Sequence, residues 1–286
     1  MQQSLGFIYV LLAGIGFGFL GIFGRLAFQS GLGVGELLTF RFALASLLLL
    51  LGLLIFKPKL LKLPLKQILI SVALGVLGYA VFSTLYFKAI EGISIPLAAL
   101  LLFTFPIFVN LGSHFILKNK MTEAETMSLA IACIGLVVLL WGPIIVDSLP
   151  AVAFALLAAI NYSIYILASG KYQKNVPPLS ASLYIIISAT FTLYFFHQPP
   201  LAKIAELSLP QILIILGIAV VCTIAPLTLF LAGLQKLSSA QASIIVMIEP
   251  VVATLAAWFL LNEQLSPQQL SGAGLVIFAL ILNARK

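Results

Sequence analysis

The sequence predicts an all-α integral membrane protein with ten transmembrane helices, arranged as two inverted five-helix repeats. Three observations predict this fold class: the composition, the spacing of the apolar segments, and a register in which the second half repeats the first. Of the 286 residues, 62% are hydrophobic and only 8% are charged. Because a soluble domain usually carries about 25% charged residues, this chain has too little polar surface for a water-facing globule.

Apolar segments long enough to cross a bilayer follow one another along almost the whole chain. A membrane-spanning helix needs about 20 predominantly apolar residues, and glycine and proline mark the short connections between the segments. The predicted helices cover residues 5–27, 34–56, 66–89, 94–117, 122–141, 149–171, 179–196, 209–235, 240–261 and 266–284. Connections this short make consecutive helices antiparallel neighbours and leave no room for a soluble domain of useful size.

The distribution of lysine and arginine predicts the orientation, because cytoplasmic loops carry an excess of both residues. One set of alternate connections, together with the C-terminus, holds Lys57, Lys59, Lys62, Lys66, Lys118, Lys120, Lys171, Lys174, Lys236, Arg285 and Lys286. The other set holds Lys88, Lys203 and Arg25. This bias predicts a multi-pass protein of the inner cell membrane with both termini in the cytoplasm. It also indicates that the net charge of +7 is a topology signal and not a stripe that binds nucleic acid.

The second half of the chain repeats the pattern of the first when the sequence is shifted by 144 residues without a gap. Polar residues and prolines carry this match, since leucine and isoleucine coincide easily in so apolar a chain. The matched pairs include Gln67 with Gln211, Thr84 with Thr228, Ser94 with Ser238 and Pro106 with Pro250. The predicted repeats are residues 1–142 and 145–286. Each holds five helices, an odd number, so the second repeat enters the membrane from the opposite side.

Two similar units in opposed orientations predict a transporter. Such units allow two mirror-related packings of similar energy, one open to each side of the membrane, which is the requirement for alternating access. The sequence offers no catalytic set and no metal site, because its two histidines, His114 and His197, stand alone and its two cysteines lie far apart. It also lacks a glycine-rich phosphate loop. We therefore expect no cofactor and transport without ATP hydrolysis.

Polar side chains are rare within the predicted helices, so those present are candidates for contact with a solute. Tyr79, Ser83 and Tyr86 share one face of the third helix, and Asn161 and Tyr165 share one face of the sixth. The candidate substrate-binding residues are Tyr79, Ser83, Tyr86, Thr104, Asn110, Asn161, Tyr162, Tyr165, Thr223 and Glu249. Aromatic side chains that alternate with hydroxyl and amide groups suit an amphipathic cavity for a small organic solute, and they suit plain helix packing equally well.

Glu249 and Pro250 lie near the middle of the ninth helix. A charge at this depth costs about 2.5–3.5 kcal/mol on insertion scales, and proline removes a backbone donor. Glu249 therefore binds a cationic group of the substrate, exchanges a coupling proton, or makes a hydrogen bond that braces the break at Pro250. We expect structural or gating roles for Pro106, Pro250 and Arg41, with Arg41 either reaching the interface or pairing with Glu36.

Several motifs resemble an EamA-type permease of the drug/metabolite transporter superfamily. In the second half these are Glu249-Pro250, the turn Asn-Glu263-Gln-Leu-Ser-Pro, and Gly272-Ala-Gly274. Pro106-Ile-Phe with the following Lys-Asn-Lys-Met-Thr turn resembles the same motif in the first half, where Asn119 stands in place of the second copy's Glu263. Arg41-Phe-Ala-Leu-Ala resembles the family's second-helix arginine motif. The usual Trp-Gly near the end of the first helix is Phe17-Gly18 in this sequence.

The resemblance covers the whole chain and implies a ten-helix transporter with a central cavity between the inverted halves. It further implies small metabolites, often amino acids, that are commonly exported, and a role for Glu263 in fixing the outer turn. The expected partners are a small-molecule substrate, the lipid bilayer and, for a proton-coupled mechanism, protons, with the chain acting as a monomer or homodimer. Three competing hypotheses stay open: a multidrug or organic-cation exporter of the same fold, a membrane-embedded enzyme, and a non-transporting assembly or receptor subunit.

Overall fold

The computed structural model of the chain describes residues 2–119, 121–142 and 145–284, and its regular elements are helices. Lys120, Arg285 and Lys286, which contribute to the predicted orientation, lie outside the described residues. The α-helices are α1 (Gln2–Gly18), α2 (Leu20–Gln29), α3 (Val34–Phe56), α4 (Leu65–Ala73), α5 (Val81–Ile90), α6 (Ile95–Leu102), α7 (Phe105–Phe115), α8 (Glu123–Leu139), α9 (Leu149–Tyr172), α10 (Pro178–His197), α11 (Leu209–Ala219), α12 (Ala225–Leu234), α13 (Ser239–Ile245), α14 (Ile248–Leu261) and α15 (Pro267–Ala284). Two π-helical segments, Leu74–Ala80 and Val220–Ile224, join α4 to α5 and α11 to α12.

Several of these helices continue one another and form longer membrane-crossing segments. Within the described ranges, nine segments are long and apolar enough to cross a membrane: Gln2–Gln29, Val34–Phe56, Leu65–Ile90, Ile95–Phe115, Leu149–Tyr172, Pro178–His197, Leu209–Leu234, Ser239–Leu261 and Pro267–Ala284. Their ends lie within three residues of the predicted helices. The remaining predicted helix is α8, which has 17 residues and stands at the short end of the spanning range of about 17–25. The chain is therefore an all-helical, multi-pass membrane protein.

Two segments are interrupted near their centres, at corresponding places in the two halves. α6 ends at Leu102 and α7 begins at Phe105, while α13 ends at Ile245 and α14 begins at Ile248. Pro106 and Pro250 lie in the first turns of α7 and α14, where the missing N–H of proline has no intrahelical acceptor to lose. The prolines therefore fix where each segment restarts.

Helices from the first half pack mainly on helices from the second. α1 packs on α12 as α9 packs on α5, and α1 packs on α14 as α9 packs on α7. The remaining cross-half contacts include α3 with α10, α7 with α13 and α8 with α15. When the two halves are exchanged, segment by segment, each of these pairs becomes another pair of the set or stays itself. The core of the molecule is therefore the interface between the halves.

The polar connections gather at two ends of the bundle. At one end, Lys203 Nζ lies 2.7 Å from a carboxylate oxygen of Glu36, and Arg25 forms an ion pair with Glu263. A pair between Arg41 and Glu36 is thus not formed, because Lys203 occupies that carboxylate. At the opposite end, beside the lysine-rich connections, Gln173 donates a hydrogen bond of 2.8 Å to Ser71 Oγ. The two sets of connections that the lysine count separates are therefore separated in space.

The close contact of α8 with α15 depends on Gly272. A Cβ atom at this position would lie 2.7 Å from the Cα atom of Leu139 and 2.8 Å from the carbonyl oxygen of Gly135, and both atoms belong to a backbone that cannot move aside cheaply. At Gly274, two residues further along the same helix, a Cβ atom would meet no heavy atom within 4 Å. Alanine substitutions at Gly272 and Gly274 therefore distinguish the effect of close packing from the effect of helix propensity.

We expect Gly272→Ala to destabilise the protein by about 1–3 kcal/mol, since overpacking forces the two helices apart. Gly274→Ala is the control, and should leave stability unchanged or raise it by up to about 1 kcal/mol, because alanine favours the helix. Thermal unfolding of both variants in detergent micelles measures the difference. Equal unfolding temperatures would show that α8 and α15 are not in backbone contact.

Candidate functional site

An aromatic cluster lies in the interior, where α3, α5, α7 and α9 meet the π-helical segment Leu74–Ala80. The ring centroid of Tyr79 lies 5.2 Å from that of Phe42 and 5.9 Å from that of Tyr165. Tyr162 stacks on Phe82 with their centroids 4.7 Å apart. Contacts at these distances and offsets contribute beyond the area that they bury. The aromatic rings of the cluster therefore hold one another in fixed positions.

Glu249 lies in the first turn of α14, directly after the helix break, and its side chain is half-buried. Its carboxylate has neither a hydrogen bond nor an ion pair with any residue that the structure describes. The carboxylate is within electrostatic range of the hydroxyl groups of Tyr79, Tyr86 and Tyr162. The side chain of Glu249 does not brace the break, but its backbone N–H donates a hydrogen bond of 3.0 Å to the carbonyl of Val246, which Pro250 cannot serve.

The tyrosine hydroxyl groups near Glu249 also make no hydrogen bonds within the described ranges. Tyr79 and Tyr162 are 6% and 8% exposed, Tyr86 is half-buried, and none of the three hydroxyls has a hydrogen-bond partner within the described ranges. Most buried polar groups in proteins are hydrogen-bonded, and an unsatisfied one costs about 1–3 kcal/mol. Three hydroxyls and a carboxylate without partners in the described ranges, within electrostatic range of one another, are therefore candidates for contact with polar groups from outside the chain.

Arg41 is the second charge in this region. Its side chain is 4% exposed, its guanidinium carbon lies 4.7 Å from the centroid of the Phe42 ring, and its Nε atom is buried without a hydrogen-bond partner in the described part of the chain. Arg41 is within electrostatic range of Tyr79 and Cys222, and Glu249 is within range of the same two residues. Arg41 therefore stays in the interior and does not reach the interface.

Asn110 lies in α7, four residues after the proline at the helix break of the first half. Its side chain is buried, and Nδ2 donates a hydrogen bond of 2.7 Å to the carbonyl of Pro106 and one of 3.4 Å to Ser243 Oγ. Thr254, which stands 144 residues after Asn110, makes the corresponding bond to Pro250. In both halves a side chain four residues further on thus adds a hydrogen bond to the carbonyl of the break proline, and Asn110 links α7 to Ser243 of α13.

Three other candidate residues also donate a side-chain hydrogen bond to a backbone carbonyl. Asn161 Nδ2 donates 2.9 Å to the carbonyl of Leu77, Thr223 Oγ1 donates 3.0 Å to that of Ile218, and Thr104 Oγ1 donates 2.6 Å to that of Leu101. Leu77 lies within one π-helical segment and Thr223 within the other, where the regular helical hydrogen-bond ladder is interrupted. These donors are therefore occupied by the fold.

Of the remaining candidates, Tyr165 belongs to the cluster and Ser83 lies beside it in sequence. Tyr165 is 2% exposed, contacts the rings of Tyr79 and Tyr162, and has a buried hydroxyl beside that of Ser169. Ser83 is 3% exposed. The ring of Phe82, which the sequence reasoning did not select, completes the cluster, and its position three residues after Tyr79 is the signal that pointed to it.

Two cavities adjoin the segments that carry the helix breaks. One, of about 370 Å³, lies at the lysine-rich end and is lined by Ser113, Lys118, Asn119, Met121, Thr122, Glu125, Ser238, Ala240 and Gln241. The other, of about 360 Å³, lies beside Glu263 and is lined by Ile95, Pro96, Ala99, Leu139, Leu140, Trp141, Ala253, Thr254, Ala257, Glu263, Gln264, Leu265 and Gln269. The cluster of Glu249 and the tyrosines lies outside both linings. The two broken segments thus border one cavity at the lysine-rich end of the bundle and another at the end that holds Glu263.

Comparison with known proteins places similar sequences among membrane transporters. The model of the EamA-like transporter family matches residues 4–141 and again residues 149–285. An uncharacterized transporter of Clostridium kluyveri is 24% identical over 290 residues, which cover 97% of this chain and 92% of that protein. The uncharacterized transporter YcbK of Bacillus subtilis is 24% identical over 289 residues, which cover 98% and 92%. An uncharacterized transporter of Archaeoglobus fulgidus is 27% identical over 217 residues, covering 73% and 76%.

A solved structure has the same fold. It superposes with a TM-score of 0.84 and covers 98% of this chain and 96% of its own. The sequence identity is 15%, so this likeness concerns the arrangement of the helices alone.

The hydrogen bond at the first break can be tested with two substitutions of the same shape. We expect Asn110→Thr to keep most of the stability, because threonine makes the equivalent bond at position 254, whereas Asn110→Val should be less stable than Asn110→Thr by about 1 kcal/mol or more. Threonine and valine fill the same space, so only the donor differs. The readout is the unfolding temperature of the two purified variants, and identical values would contradict a bracing role for Asn110.

Proposed function

The chain belongs to the EamA-like transporter family and is a multi-pass membrane transporter rather than an enzyme, and from this premise we propose that it exports amino acids or related small organic metabolites. The observation that carries the proposal is the group of unpaired polar atoms around Glu249. A carboxylate and three tyrosine hydroxyls, held on an aromatic wall, match a small solute that bears a cationic amino group.

The proposed architecture has ten membrane helices in two inverted repeats, residues 1–142 and 145–286, with α8 as the fifth helix. Support comes from the register of 144 residues, from the helix breaks at corresponding places, and from packing pairs that survive exchange of the halves. An odd number of helices in each repeat then requires opposite orientations. The substrate site lies at the interface between the repeats, because its residues come from α3, α5 and the adjoining π-helical segment in one half and from α9 and α14 in the other.

The proposed mechanism is alternating access without ATP hydrolysis. The segments interrupted at Pro106 and Pro250 each border a cavity, one at either end of the bundle. Movement of one repeat against the other would open these two spaces to the site in turn, with the breaks acting as hinges. The ion pairs of Arg25 with Glu263 and of Lys203 with Glu36 tie the loops at one end, and would separate when that end opens.

An organic-cation exporter is the second candidate function. The same unpaired carboxylate and the rings of Phe82 and Tyr162 would suit a quaternary ammonium compound, which aromatic faces attract. Counterflow in proteoliposomes, with labelled amino acids, sugars and tetraethylammonium as a panel, separates the two candidates. Counterflow of amino acids alone supports the first proposal, counterflow of tetraethylammonium alone supports the second, and counterflow of neither removes both.

The role of Glu249 can be tested by Glu249→Gln, which keeps the shape and removes the charge. We expect amino-acid counterflow to fall about tenfold or more, since a hydrogen bond to a charged group contributes about 1.5–3 kcal/mol. A ligand role would raise KM for the amino acid, whereas a proton-coupling role would abolish the pH dependence of the rate at unchanged KM. Glu206→Gln, which removes an exposed carboxylate from the connection before α11, is the control. Full rate and unchanged pH dependence in Glu249→Gln would exclude a functional role.

The proposed orientation, with both termini in the cytoplasm of a cell whose inner membrane holds the protein, can be tested by thiol labelling. Lys62 and Glu206 are exposed and lie in connections that the lysine count assigns to opposite sides. In a background without Cys133 and Cys222, Glu206→Cys should react with an impermeant maleimide added to intact spheroplasts, and Lys62→Cys only after permeabilisation. The reverse pattern would invert the proposed topology.

A further inference from the structure

We propose that Arg41 binds the anionic group of the substrate while Glu249 binds its ammonium group, so that the site recognises a zwitterion. This inference rests on the proposed function and deepens it. It assigns a substrate-binding role to a residue for which the sequence predicted a structural or gating role.

The environment of Arg41 supports a binding role. An arginine side chain that is only 4% exposed would normally pair with a carboxylate, because a buried charge without a partner is costly. The acidic residue nearest in sequence, Glu36, is taken by Lys203. Nε of Arg41 is buried and lacks a partner among the described residues. The contact with the Phe42 ring holds the guanidinium in place and supplies no hydrogen-bond acceptor to its N–H groups.

Arg41 and Glu249 lie in the same interior region. The guanidinium of Arg41 sits on the Phe42 ring, whose centroid is 5.2 Å from that of Tyr79, and both charges are within electrostatic range of Tyr79 and Cys222. The charges do not pair with each other in the described structure. A solute with one carboxylate and one ammonium group would neutralise both charges at once, whereas a cation or an anion would leave one buried charge uncompensated.

The aromatic surface beside the two charges indicates the rest of the substrate. The rings of Phe82 and Tyr162 retain some exposure, with their centroids 4.7 Å apart, whereas Phe42 and Phe105 are fully buried and support the tyrosines from behind. Planar apolar surfaces of this kind favour an apolar or aromatic side chain over a charged one. We therefore infer that the substrate is a zwitterionic amino acid whose side chain carries no charge.

Three probes that share a phenyl ring and differ only in charge test the inference: L-phenylalanine, 2-phenylethylamine and 3-phenylpropionate. Their binding to the full chain in detergent is measured by calorimetry, without any need for transport. We expect L-phenylalanine to bind about tenfold or more tighter than either singly charged probe, because each lost charge contact costs about one hydrogen bond to a charged group. Equal affinity for all three, or binding by none, would overturn the inference.

Variants then separate binding from support of the fold. In Arg41→Gln the affinity for 3-phenylpropionate and L-phenylalanine should fall about tenfold or more while that for 2-phenylethylamine is kept, and Glu249→Gln should do the reverse for the amine. Lys62→Gln, which removes an exposed cation from a connection between helices, is the control. A merely structural Arg41 would weaken all three probes alike, and that result would contradict the inference.

If Arg41→Gln does not fold, Arg41→Lys takes its place, since it keeps the charge but loses the planar donor fork. It should bind 3-phenylpropionate more weakly than wild type with 2-phenylethylamine unchanged, and unchanged 3-phenylpropionate affinity would count against Arg41 as the anion site. Charge-selective binding without amino-acid counterflow would remove the transport proposal and leave this inference intact. Amino-acid counterflow, with all three probes bound equally well by the wild type and the variants, would support the transport proposal and remove this inference.

Discussion

The structure depends on one constraint, which is that a helix interrupted inside a membrane must have its freed backbone carbonyls satisfied by the protein itself. Each half of this chain interrupts one segment at a proline and another at a π-helical turn. Beside the prolines, Asn110 and Thr254 each add a side-chain hydrogen bond to the proline carbonyl four residues back. The carbonyl of Val246, which Pro250 cannot serve, accepts a hydrogen bond of 3.0 Å from the backbone N–H of Glu249. At the π-helical turns, Asn161 and Thr223 supply the donors. The breaks are therefore built into the helices by specific side chains.

This constraint also defines the candidate site, because it divides the polar residues of the interior into two groups. The amide nitrogens of Asn110 and Asn161 and the threonine hydroxyls donate to carbonyls of the fold, although both amide oxygens are buried without a partner in the described ranges. The hydroxyls of Tyr79, Tyr86 and Tyr162, the carboxylate of Glu249 and the guanidinium of Arg41 have no such task among the described residues. In a low-dielectric interior an unpaired charge is expensive, so the groups that the fold does not use are the ones available to a solute.

The positions of the helices could be predicted from the sequence to within three residues, because membrane insertion selects on length and hydropathy, which composition reveals directly. Pro106 and Pro250 marked the two breaks because proline lacks the backbone N–H that a continuous helix needs. The π-helical turns carry no such signal, since Leu74–Ala80 and Val220–Ile224 are as apolar as their neighbours. The sequence also grouped Asn110 and Asn161 with Tyr162 as solute contacts. Their separation required coordinates, because an amide in a membrane helix serves a carbonyl or a solute equally well until its neighbours are known.

The two-fold pattern of the scaffold and the single copy of the site belong together. In the register of 144 residues, Pro106 meets Pro250 and Asn110 meets Thr254, so the residues that hold the breaks are repeated. The charged residues of the site are not repeated, since Glu249 meets Phe105 and Arg41 meets Ile185. A repeated carboxylate would place two like charges at one interface and favour a symmetric dication. In the proposed site, one carboxylate and one guanidinium, each matched by an apolar residue in the other half, would form a dipole in a nearly symmetric frame. Such a site would distinguish the two ends of its ligand while the proposed exchange between two packings involves only the frame.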